Sequence, residues 1–80
     1  MTNEQIYAQL TDVFHDVFDD TSIRLSPDTA APDVPGWDSL NHVNLIAATE
    51  LRFGIRFKTA ELESLHNVGQ LVDVISSKAK

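Results

Sequence analysis

Eighty residues, 42% of them hydrophobic, are enough for one domain around a single core and leave little margin for a deep active-site cavity. The absence of cysteine excludes disulfides, zinc-thiolate sites and thiol catalysis by the chain itself, and a net charge of −6 argues against nucleic acid as a partner. The charge is uneven: residues 1–37 hold seven acids against Arg24, whereas residues 38–80 balance five acids with five bases.

The opening, MTNEQIYAQL, lacks the basic and apolar regions of a secretory signal. No apolar run approaches the ~20 residues that span a bilayer. A soluble, cytoplasmic protein without membrane insertion is therefore expected. Ile6, Leu10, Val13, Phe14 and Val17 fall at i, i+4, i+7, i+8 and i+11, the stripe of an amphipathic first helix over residues 3–18. Thr2 or Asn3 is available as its cap, and His15 and Asp16 share the polar face with Glu4, Gln5, Gln9 and Asp12.

From Asp19 to Trp37 the periodicity stops, and Pro27, Pro32 and Pro35 forbid a continuous helix. So long a loop in a small domain is expected either to be functional or to pack through its own apolar residues, here Ile23, Leu25 and Val34. A second helix follows from Ser39 to Phe53, with Gly54 where a left-handed residue ends a helix. It has two apolar ridges. Leu40, Val43, Ala47 and Leu51 form one; Leu45, Ile46 and Phe53, with His42 and Thr49, form the other, so one of them is free for a partner unless the helix is central.

Ile55 and Phe57 alternate with polar residues in a short connector. Thr59 is expected to cap a short third helix bearing Glu61, Leu62, Glu63 and Leu65, and Asn67 a fourth in which Val68, Leu71, Val72 and Ile75 repeat at helical spacing. The fold class is all-α: a four-helix bundle with a long loop between helices 1 and 2 and a short third helix.

Ser39, in PGWDSLNHV, is the residue whose chemistry needs an account. A nucleophilic serine requires an oriented base. His42 lies one turn away, but no strand-to-helix nucleophile elbow is present. Asp16, Asp19 and Asp20 do not follow a calcium-loop pattern, and the histidine spacings match no zinc site. Asp38 or Ser39 can serve as a plain helix cap. That role leaves the long preceding loop and the spare apolar ridge unexplained.

Gly36, Asp38-Ser39-Leu40, Val43, Leu45-Ile46, Glu50, Phe53-Gly54-Ile55 and Phe57 together resemble the pattern of acyl and peptidyl carrier proteins, over nearly the whole of residues 1–80. The resemblance implies that Ser39 receives 4′-phosphopantetheine from coenzyme A through a phosphopantetheinyl transferase. Asp38 would position the transferase's metal and coenzyme A. Leu40 and Val43 would dock partner enzymes, with Trp37, Asn44, Ala47, Glu50 and Leu51 as further contact positions. The chain itself would catalyse nothing. As a monomer it would present thioesters to acyl-loading and acyl-processing enzymes of the ligase, ketosynthase or acyltransferase type. A thiol on the arm would supply what a cysteine-free chain lacks.

Carriers of fatty-acid synthases typically display acids along the second helix, where this chain has Asn41, Asn44, Leu51 and Arg52. Trp37 is also bulkier than the usual residue before Asp-Ser-Leu, and either shields the arm, meets a specific partner or covers the first helical turn. These departures suggest a specialised fatty-acyl, polyketide or similar pathway. Two alternatives remain: an aminoacyl or peptidyl carrier, and an unmodified helical interaction module.

Overall fold

The computed structural model describes residues 1–79. Its helices are α1 (Asn3–Phe18), α2 (Ser39–Phe53), α3 (Thr59–Glu63) and α4 (Val68–Lys78), with a 3-10 turn at Ala31–Asp33 in the long loop. This is the four-helix arrangement expected, with α1 packed against both α2 and α4. Apolar periodicity decides which faces turn inward. Ile6, Leu10, Val13 and Phe14 of α1 meet Leu45 and Ile46 of α2 and Val68, Leu71, Val72 and Ile75 of α4. Ile23 and Val34 from the loop and Ile55 from the connector complete the core. Thr49 is fully buried among them, and its hydroxyl donates to the Leu45 carbonyl at 2.7 Å. A buried polar group costs little once so paired.

Helix ends follow the capping residues. Thr2 caps α1 reciprocally with Gln5, at 3.2 and 2.9 Å. Asp19 ends α1 in the left-handed region, φ 50°, which Asp tolerates better than most residues. Asn67 accepts from the Gln70 amide at 2.8 Å at the start of α4, and Gly54, φ 66°, ends α2. Thr59 does not cap α3. It is the first helical residue, with Lys58 in the cap position, and the Glu61 carboxylate reaches back to accept from the Lys58 amide at 2.7 Å. Leu62 and Leu65 are half-buried against the core.

The long loop is fastened at several points. His15, expected on the solvated face of α1, is half-buried, and its Nε2 donates to the Ile23 carbonyl at 2.9 Å. The loop then crosses the start of α4, where the Val68 amide donates to Thr29 O at 2.8 Å and the Gly69 amide to Pro27 O at 3.0 Å. The first-turn amides of α4, which have no helical acceptor, are thus satisfied by the loop. Leu25 and Val34 pack inward, and the chain is delivered to the start of α2 in a defined direction.

Candidate functional site

Pro35 and Gly36 turn the chain into α2, with Gly36 at φ 88°, a conformation that favours a residue without Cβ. The Gly36 carbonyl accepts from the Asp38 amide at 2.9 Å and from Asn41 Nδ2 at 2.7 Å. Asp38 is the cap: its Oδ1 accepts from the Asn41 amide at 2.8 Å, and its carbonyl accepts from the His42 amide at 2.8 Å. Ser39, the first helical residue, is exposed. Asp38 before it and Asn41 after it are both occupied with the backbone.

Trp37 is half-buried. Its ring meets Phe14 nearly edge-on, 5.3 Å between centroids, and lies 6.2 Å from Phe18. Its Nε1–H donates to His42 Nδ1 at 3.1 Å, with the rings only 15° from parallel. The indole thus lies between α1 and the first turn of α2, in contact with Phe14, Phe18 and His42. An indole nitrogen only donates, so Nδ1 of His42 is the acceptor and Nε2 bears the proton. His42 is thus engaged by Trp37 and is not oriented as a base toward Ser39.

A groove of about 450 Å³ opens beside Ser39. Trp37 and His42 line it together with Leu45, Ile46 and Leu71, which give it apolar walls. On the opposite side of α2, Leu40, Val43 and Leu51 are 71%, 64% and 87% exposed, with Ala47 between them. The two ridges thus separate as their spacing predicts, one into the core and one outward.

The polar residues near that outward ridge are less free than the sequence suggests. Asn44 is exposed, but Asn41 is held by Gly36. Glu50 is half-buried, and its Oε2 accepts from the Phe57 amide at 2.8 Å. Arg52 turns to α1, where it meets Asp12 at 3.6 Å and Gln9 at 3.4 Å. Among the described residues no three His, Asp or Glu side chains gather as a metal site, and no helix is long and apolar enough to cross a membrane.

No protein-family model matches the chain. It is 29% identical over 77 residues to an acyl carrier protein of Acidothermus cellulolyticus, spanning 96% of this chain and 92% of that one. With an acyl carrier protein of Thermotoga maritima it shares 26% over 77 residues, covering 96% and 95%. The solution structure of a holo acyl carrier protein from Geobacter metallireducens superposes with a TM-score of 0.86 at 46% identity, over 90% of this chain and 83% of that one.

Proposed function

Because the chain belongs to the acyl carrier protein family, we propose that the Ser39 hydroxyl is the attachment point of a 4′-phosphopantetheine arm. The protein is a carrier and not an enzyme: it holds acyl groups as thioesters and presents them to the enzymes that load and process them. The observation that carries this reading is the exposed serine at the first residue of α2, beside a groove with apolar walls.

The residues around Ser39 suit the group. With the Asn41 amide capped by Asp38 and the His42 amide taken by the Asp38 carbonyl, the amides of Ser39 and Leu40 are the first-turn donors left without an intrahelical acceptor. A phosphodiester at Ser39 would have those amides and the positive end of the helix dipole as donors, so its charge would cost the fold little. The arm supplies a thiol, the nucleophile that this chain lacks.

The chain's own residues do the rest. Asp38 fixes the start of α2 and, during modification, faces the metal and coenzyme A of the transferase. Leu45, Ile46 and Leu71 offer an apolar chain shelter from water, in a groove whose size lies in the range of about 300–1,000 Å³ usual for small-molecule sites. Leu40, Val43, Ala47 and Leu51 form the surface for partner enzymes. Tethering raises the local concentration of the cargo at whichever enzyme docks. The uncharged Asn41 and Asn44 on α2 favour a specialised biosynthetic pathway over a general fatty-acid synthase.

Intact mass after incubation with coenzyme A and a phosphopantetheinyl transferase tests the assignment. One arm on the wild type and none on Ser39→Ala, with the same circular dichroism for both, is the expected result. An arm retained by Ser39→Ala would overturn it.

A further inference from the structure

With Asp38 as the cap of α2, Trp37 is the residue just before the cap and His42 the fourth residue of the helix. These are the two positions of the hydrophobic staple, an apolar contact that fixes the angle at which a chain enters a helix. Here the contact contains a hydrogen bond, Trp37 Nε1–H to His42 Nδ1 at 3.1 Å. Ser39 lies between the two residues, so the staple sets how the serine is presented.

An apolar staple is indifferent to pH, whereas a donor–acceptor contact needs an acceptor that carries no proton. The indole nitrogen is a donor only. His42 can accept from it only as a neutral ring with the proton on Nε2. In the imidazolium both nitrogens carry protons, and two N–H groups would then face each other across the same short gap.

We propose that the Trp37–His42 pair is a polar staple that positions Ser39 for arm transfer and holds only while His42 is neutral. The proposal rests on Ser39 being the modified residue. The pair is surrounded by few charges. Phe14 and Phe18 of α1 and Leu71 of α4 are uncharged, and the titratable groups bordering the same groove are Asp38 at the cap and His66 in the link before α4.

The test uses the apo protein, its single tryptophan and two variants. His42→Leu gives the staple an apolar partner for the ring, and Trp37→Phe keeps an aromatic ring without the N–H. Between about pH 8 and pH 5, where histidine is the side chain that ordinarily changes charge, the Trp37 indole N–H resonance should move in the wild type and stay put in His42→Leu. Initial rates of arm transfer are read by intact mass with wild type and variant competing in one mixture, so that the transferase's own pH dependence cancels. The rate of wild type relative to His42→Leu should fall on the order of two- to tenfold on acidification, the factor corresponding to one net hydrogen bond. Relative to Trp37→Phe it should fall likewise.

A ratio that stays constant with pH against both variants, or a wild-type indole signal that ignores pH, would overturn the proposal. If Ser39 accepts no arm at any pH, it is the carrier assignment that fails, and the indole titration still decides whether the staple depends on neutral His42.

Discussion

The Glu50 carboxylate accepts a hydrogen bond from the half-buried Phe57 amide at 2.8 Å, tying the connector after α2 back onto the helix it has just left. Glu50 is therefore a brace for the Gly54–Phe57 turn, and its charge is not simply displayed on the surface of α2. Glu50→Ala should leave that amide without its partner and destabilise the fold by about 1–3 kcal/mol. At roughly 4–8 °C per kcal/mol for a domain of this size, the melting temperature should fall clearly in a thermal scan. Glu50→Gln keeps an acceptor oxygen and should retain most of the stability. An unchanged melting temperature for the alanine variant would show that water replaces the carboxylate there.

Gly69, the second residue of α4, should resist substitution although it is helical. Alanine normally gains up to roughly 0.5–1 kcal/mol over glycine in a helix, the full amount only in its interior. Here a Cβ would stand 3.0 Å from the Pro27 carbonyl oxygen and 3.2 Å from Pro27 Cβ. That carbonyl cannot withdraw without stretching the bond it accepts from the Gly69 amide. Gly69→Ala should therefore lower the melting temperature instead of raising it, and loosen the long loop. Faster amide exchange at Val68 and Gly69 in the variant is the accompanying sign, and a stabilised Gly69→Ala would show that the loop yields freely.

That crossing also marks what sequence could and could not show. The helices, the inward and outward ridges of α2 and the Asp38 or Asn67 caps were legible, because spacing and capping chemistry are local. Neither the seating of Pro27 on Gly69 nor the donation of His15 to Ile23 was, because each joins a helix to a loop with no period of its own. At the site, the Asp-Ser-Leu tripeptide was legible as a carrier pattern only together with the Phe53-Gly54-Ile55 and Phe57 connector and the length of the chain. The groove beside it was not, since Leu45 and Leu71 are far apart in sequence. The Trp37–His42 contact had a signal, a spacing of five across a helix cap, that passes unnoticed when histidine is not counted as a staple residue.

Acid should remove stability held by two carboxylates. The Glu61 carboxyl is held below its ordinary value chiefly by the hydrogen bond from the Lys58 amide, then by that from the Lys78 ammonium, 3.0 Å away. Asp20 is lowered first by the Ser22 hydroxyl and then by the Ser22 amide. In both, the folded state binds the proton less readily than the unfolded chain. Their contribution is thus complete above the ordinary carboxylate range and is lost as pH falls through the depressed folded values. Thermal unfolding of the wild type should show a larger loss between about pH 6 and pH 3 than that of a Glu61→Gln, Asp20→Asn double variant, which has less to lose. Parallel curves for the two proteins would mean that other groups govern the acid limb.

Recognition of α2 by partner enzymes should rest on apolar contact. Leu40, Val43 and Leu51 are largely exposed in one ridge with Ala47, while Glu50 is engaged by the Phe57 amide and Arg52 by Asp12 and Gln9, and exposed Arg56 beside Leu51 is itself a cation. Little charge remains to steer a basic enzyme surface to this helix, and burial of the ridge supplies docking energy at about 25 cal/mol per Å² of apolar area. Charge-steered association weakens steeply with ionic strength, whereas apolar burial does not. Affinity for a cognate partner should therefore change little from low to physiological salt, and Val43→Asp should weaken it far more than Glu50→Gln. An acidic face is added at least cost at Asn44, which is exposed and whose one side-chain bond is a long one, Nδ2 to Asn41 Oδ1 at 3.5 Å, whereas Asn41→Asp would lose the 2.7 Å bond to Gly36 that shapes the turn before Ser39. Asn44→Glu should improve use by a fatty-acid synthase enzyme that reads acidic helices and leave cognate binding nearly unchanged. Titrations against salt with these variants decide the matter: a steep fall in affinity with ionic strength, together with a greater defect in Glu50→Gln than in Val43→Asp, would mean that this helix is read by charge.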